Sequence, residues 1–137
     1  MVMLVGEKPS RVSYDELLTI LDTYGFAAVQ TAGYVLVVPD AGIRDQPLPF
    51  VADGKNAPDG EYVTAVLHVR SLPAARLVPI LRPLVPRSGD LSAMPCAGAL
   101  LIVDRAANVR RLESVVKALD TGVPIKPPSC ALPLPAQ

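Results

Sequence analysis

The sequence predicts an α+β chain: a β-α-β-β-α two-layer module preceded by a helix-plus-β-hairpin half-domain. Three observations carry this. Apolar residues recur at helical spacing over residues 14–24, and two short strand patterns follow at once. Over residues 61–121, β-branched runs alternate with helical stripes in the order β-α-β-β-α. The chain holds 15 prolines in 137 residues, about twice the usual share, and eight of them fall between or after these units. The expected organisation is a truncated domain at 1–45, a linker at 46–60, a complete module at 61–121 and a proline-rich tail at 122–137.

Each element has a local reason. Ser13 can cap a helix, and Glu16 completes a capping box. Leu17, Ile20, Leu21 and Tyr24 supply one apolar face, and Gly25 closes the helix. Phe26 to Gln30 and Tyr34 to Val38 read as strands around a turn at Thr31-Ala32-Gly33, stopped by Pro39-Asp40. A helix and a hairpin cannot bury both faces of their sheet, so this segment needs a partner surface. Pro47, Pro49 and Pro58, with Gly42, Gly54 and Gly60, punctuate a polar linker.

Tyr62 to Val69 is a strand. Ser71 can cap the next helix, with Pro73 in its first turn, where the missing N–H costs nothing. Leu77, Ile80, Leu81 and Leu84 make a helical stripe that Pro79 and Pro83 interrupt, so a short helix ending near Arg82 is expected. Arg87 to Asp90 is a turn. Leu91 to Cys96 is a weak strand, and Pro95 assigns it to a sheet edge. Ala99 to Val103 is a buried strand. Asp104 caps the last helix, whose inner face is Val109, Leu112, Val116 and Leu119, with Arg110, Arg111 and Lys117 outside. Two helices are expected on one face of three strands. No large exposed apolar patch is evident.

Composition narrows function. Mean hydropathy of +0.36 excludes a disordered chain, and 13 basic residues balance 13 acidic ones. Phosphate neutralisation supplies most nucleic-acid affinity, so the neutral balance demotes that role. No apolar run reaches the roughly 20 residues of a spanning helix, so direct membrane insertion is not expected. The N-terminus lacks the basic start and apolar core of a signal peptide.

No constellation speaks for an enzyme. His68, the single histidine, has no partner acid, base or nucleophile in a motif and reads as a half-exposed strand residue. Cys96 and Cys130 match no zinc or redox spacing; they read as two unrelated thiols, with Cys96 buried. Neither a P-loop nor G-x-G-x-x-G occurs, so no cofactor, metal or catalytic residue is expected. Arg105, Arg110 and Arg111 form the one basic cluster, on a helix flank that is solvated or faces a partner. An RNA-binding reading would want a G-x-x-G loop, which is missing.

The stretch from Ala99 to Glu113, Ala-Leu-Leu-Ile-Val-Asp-Arg-Ala-Ala-Asn-Val-Arg-Arg-Leu-Glu, resembles the N-domain signature of secretins. There "L-x-I-x-D" runs into "x-A-N-[IV]-x-R-[LI]-E" and closes on "L-D", as Leu119-Asp120 does here. Leu77 to Val85 is similar to the family's "L-x-P-[IL]-L-R-P-L-V", which accounts for Pro79 and Pro83. Residues 61–121 thus resemble the second periplasmic N-domain of the type II secretion secretins, the general secretion pathway protein D family. Tyr14 to Asp40 is similar to the second half of the preceding N-domain.

The resemblance implies a KH-like fold and a non-catalytic structural and interaction module of the secretion channel, placed in the periplasm at the outer membrane. It implies homo-oligomeric ring packing, with Arg105, Arg110 and Arg111 as candidate contacts, and an inner-membrane secretion component as a further partner. The rest of the first N-domain, the later N-domains and the barrel lie outside these residues, which points to a fragment or truncated form. A KH-like nucleic-acid-binding protein is the alternative.

Overall fold

A computed structural model describes residues 13–51 and 57–129. Helix α1 (Tyr14–Thr23) begins with a reciprocal box: Ser13 Oγ accepts from the Glu16 amide at 3.2 Å, and the Glu16 carboxylate accepts from the Ser13 amide at 2.8 Å. Strands β1 (Phe26–Thr31) and β2 (Tyr34–Pro39) pair antiparallel across Ala32-Gly33. Gly25 and Gly33 both sit at positive φ, +80° and +99°, where a Cβ would strain the two turns. Leu18 and Leu21 of α1 are buried against Ala28 of β1. The inner line is therefore narrower than the expected face: Leu17 lies at its flank, and Tyr24 is exposed because the helix ends one residue before it.

The other face of β1, through Ala27 and Val29, packs on Ile43 and Tyr62. Ile43 is carried there by a 3-10 turn, Asp40–Asp45. This small second core docks the helix-hairpin segment on the rest of the molecule, meeting the need for a partner surface on that side.

The main layer holds β3 (Phe50–Val51), β4 (Tyr62–His68), β5 (Asp90–Met94) and β6 (Ala99–Arg105), in the order β3-β4-β6-β5. Helices α2 (Ala74–Leu81) and α3 (Ala106–Leu119) cover one face. From β4 onward the order is β-α-β-β-α, and the fold is α+β and KH-like, preceded by the helix and hairpin. The sheet has four strands, not three. Phe50-Val51, inside the stretch read as a polar linker, adds parallel to Thr64-Ala65, with Val51 packed on the core. Two residues are too few to show a period, so the sequence does not announce this strand.

Val63, Ala65 and Leu67 of β4 alternate inward with Leu91, Leu100 and Ile102, against Leu77, Leu81, Val109, Leu112 and Val116 from the helices. Two residues of the expected helical stripes point outward: Ile80 is 56% exposed and Leu119 41%. In α2 the buried set is Ala74, Leu77 and Leu81. A helix of eight residues needs only this i, i+3, i+7 line to seal one side. It ends at Leu81 and tightens into a 3-10 turn over Arg82–Leu84, which accommodates Pro83.

Two capping assignments need correction. Ser71 does not cap α2; Pro73 takes that place with no side-chain bond. Ser71 instead donates through its hydroxyl and its amide to Asp120 Oδ1, at 2.5 and 2.6 Å, while the Arg70 amide donates to Oδ2 at 2.9 Å. Three donors on one carboxylate hold its pKa below the usual range, the Ser71 hydroxyl most of all. This clasp ties the end of α3 to the loop before α2. Asp104 does not cap α3 either, because β6 runs one residue further, through Arg105.

After Asp120 the tail is exposed and without regular structure up to residue 129, although the Ile125 amide donates to the Arg70 carbonyl. No helix among the described residues is long and apolar enough to cross a membrane.

Candidate interaction surface

The three arginines lie around the junction of β6 and α3, but they do different things. Arg105 ends a strand and faces the helix-hairpin segment. Its guanidinium pairs with Asp22 of α1, donates to the Tyr62 hydroxyl at 3.2 Å and lies 5.3 Å from the centre of the Tyr62 ring. Tyr62 in turn shares a hydrogen bond of 2.8 Å with the buried Ser88 hydroxyl. Arg105 is therefore a strut between the two parts of the molecule rather than part of a helix flank.

Arg110 pairs with Asp59 and donates to the Ala57 carbonyl at 3.3 Å. It holds down the segment that leads into β4. Arg111, one residue on, faces outward from α3.

Beside Arg111 lies an open groove of about 460 Å³ between the 3-10 turn and the start of α3. Its walls include Pro83, Leu84, Val85 and Pro86, and it reaches Asp104 and Asn108. Asp104 is fully buried. Its carboxylate accepts from the Arg105 amide at 2.7 Å and from the Asn108 side chain, which also donates to the Leu84 carbonyl at 2.9 Å. Burial pushes the Asp104 pKa up, and these two hydrogen bonds oppose the shift. Asp104, read from the sequence as a helix cap, and Asn108 thus lock the groove's wall to α3. The pairing needs the fold to bring Leu84 alongside, so spacing alone did not suggest it.

The remaining candidates are placed as follows. His68 is exposed on β4, beside Ala99 of β6. Cys96 is half-buried in a 3-10 turn and is disulfide-bonded, which corrects the reading of a buried, unrelated thiol; Cys130 lies outside the described residues. The described residues hold no cluster of His, Cys, Asp or Glu suited to a metal ion. One feature that the sequence reading missed is an exposed apolar surface on β2, where Tyr34, Val35, Leu36 and Val37 are all open to solvent.

A KH-like module preceded by a helix and a hairpin is consistent with the fold of secretin N-domains. Residues 64–124, a little under half of the chain, match the bacterial type II/III secretion system short domain, and the relatives it resembles are secretins. It is 38% identical to secretin XcpQ of Pseudomonas aeruginosa over 107 residues, and 30% identical to secretin GspD of Vibrio cholerae over 110. Each alignment covers 78% of this chain and 16% of the relative. The chain thus spans about a sixth of the length of these curated relatives. Among solved structures, the Klebsiella pneumoniae type II secretion system outer membrane complex, with PulD, PulS and the PulC HR domain, superposes with a TM-score of 0.73 at 26% identity. That match covers 87% of this chain and 21% of the other.

Proposed function

We propose that this chain is a periplasmic ring-building module of a type II secretion secretin, serving protein export without catalysis. In this reading residues 1–45 are the second half of one N-domain, 46–60 connect it, and 61–121 form a complete N-domain that packs side by side with identical copies. The observation that carries the reading is the coincidence of the family match over 64–124 with the β-α-β-β-α module.

Of the three arginines, Arg111 is the one we assign to the contact with the neighbouring copy, together with the apolar wall of the groove beside it. Arg105 and Arg110 act one step back, by fixing the shape of that surface. Individually modest contacts of this kind sum through ring closure. An inner-membrane component of the secretion system is the further partner. It is supported by the likeness to the complex that contains PulC.

The test is a chimera in which residues 61–121 replace the matching segment of secretin XcpQ. Rings visible by electron microscopy, together with retained export, support the proposal. Folded chimeric protein that forms no rings contradicts it.

A further inference from the structure

A ring of identical copies needs two different surfaces on each copy, one meeting the neighbour before and one the neighbour after. The groove beside Arg111 is one of them, and its chemistry restricts what can enter. Its apolar wall, Pro83 to Pro86, is flanked in sequence by Arg82 and Arg87, and Arg111 lines it from α3. All three arginines are exposed. The one acid in the lining, Asp104, is fully buried and held by the Arg105 amide and Asn108. The rim is therefore basic. Two copies meeting groove to groove would set arginines against arginines, so the occupant is a different surface, apolar at its centre and acidic beside it.

The charges of the chain are divided in a way that supplies one. Over residues 13–51 the acids are Asp15, Glu16, Asp22, Asp40 and Asp45, and the single base is Arg44. Over residues 57–129 nine bases outnumber six acids. Within the acidic part, one place joins an unpaired carboxylate to an apolar anchor. Phe50 of β3 is 64% exposed. Asp45, five residues earlier, is exposed and has no ion pair among the described residues, and Pro47 and Pro49 between them are exposed too. Val51 turns inward onto the core, so Phe50 turns to the sheet face away from the helices. The other exposed apolar residues of the module fit less well. Ile80 lies one turn before Pro83, on the groove's own side. Leu119, Val123 and Ile125 have Lys117 and Lys126 near them in sequence, and Asp120 is engaged in its clasp.

We propose that Phe50 of one copy seats in the groove of the next, against Pro83 to Pro86, with its Asp45 beside Arg111. This rests on the ring reading and names the surface that Arg111 meets. The topology suits it. β3 and β5 are the two edges of the sheet, and α2, which runs on into the groove's wall, packs on β5. Anchor and groove thus lie towards opposite sides of the module. Each copy can hold two neighbours, and the contact propagates instead of ending at a pair. A cavity of about 460 Å³ has room for an aromatic side chain, and aromatic anchors seated in pockets carry most of the energy of an interface.

The test is sedimentation of the full chain over a range of concentrations, with two variants that each spoil one side. These are Phe50→Ser, and Ala107→Trp, which fills the groove from an exposed position. The wild type should associate past the dimer. Each variant alone should associate about tenfold more weakly. An equal mixture of the two should form a dimer and nothing larger, because one brings an intact groove and the other an intact Phe50. Asp45→Arg and Arg111→Glu should each weaken association about threefold, and both changes in one chain should restore part of it. Fold is checked by circular dichroism. Should Ala107→Trp unfold, Arg111→Glu takes its place in the mixture. A wild type that is monomeric at every concentration, or that stops at a dimer, overturns the proposal. So does a mixture that forms no dimer. Association indifferent to both Phe50→Ser and Ala107→Trp also overturns it, and if the chimera still forms rings, the ring reading stands without this contact.

Discussion

Removing the Arg105 side chain should loosen the seam between the helix-hairpin segment and the main module. The Arg105 guanidinium makes three contacts, with the Asp22 carboxylate, the Tyr62 hydroxyl and the face of the Tyr62 ring. The ion pair is largely solvated on its Asp22 side, 42% exposed, so it contributes at the low end of about 0.2–1 kcal/mol. The hydrogen bond adds about 1 kcal/mol and the cation–π contact about 0.5–1 kcal/mol, and these two share one group and one ring, so they do not sum fully. Arg105→Ala should therefore cost about 2 kcal/mol.

The assay is urea unfolding at a concentration where the chain is monomeric, with a double-mutant cycle against Asp22→Ala. The cycle should show coupling of about 0.5 kcal/mol or less, most of the loss lying with Tyr62. Hydrogen exchange should quicken first in α1 and β1. A variant as stable as wild type, with exchange unchanged in α1, would refute the strut and return Arg105 to the outer surface.

The corrected face of α2 gives a sharp contrast: Leu81→Ala should cost about 2–5 kcal/mol, and Ile80→Ala no more than about 0.5 kcal/mol, by the same unfolding assay. Gly89→Ala should cost about 1–3 kcal/mol, because the added Cβ would sit 2.6 Å from the Val103 carbonyl and 2.9 Å from Val85 Cγ1. A thermal midpoint unchanged by that substitution would contradict the close approach. The Asp120 clasp predicts a pH dependence. Its carboxyl pKa is lowered in the fold, so its stabilisation is present above the unfolded value of about 3.9 and is lost as pH falls through the lower folded value. The gap between wild type and Asp120→Asn, about 1 kcal/mol near pH 6, should close towards pH 2, and a gap that widens in acid would sink the assignment.

How far the sequence could be read depended on the range of the forces involved. The Ser13-Glu16 box, the hairpin around Gly33 and the strand Ala99 to Val103 rest on neighbours within a few residues, and they fold as read. What escaped involves partners distant in sequence. Ser71 looked like a cap because it precedes a helix, yet its bonds go to Asp120, 49 residues away; Asp104 bonds Asn108 only four residues on, but Asn108 in turn reaches the Leu84 carbonyl, 24 residues back. Arg105 looked like the start of a basic helix flank, and only the docking of α1 shows what its charge meets. The bare apolar faces of β2 escaped for the same reason. A β-branched run reads as buried, and among the described residues Tyr34 to Val37 are exposed.

In the proposed ring, residues 61–121 pack side by side with Arg111 at the contact. A photo-reactive amino acid in place of Arg111, in the secretin chimera and activated after ring assembly, tests it most directly. Side-by-side packing at Arg111 should give a ladder of cross-linked species at multiples of the subunit mass, absent when the label replaces exposed Ile80 instead. Assembled rings that yield only uncross-linked subunits from the Arg111 position would contradict it.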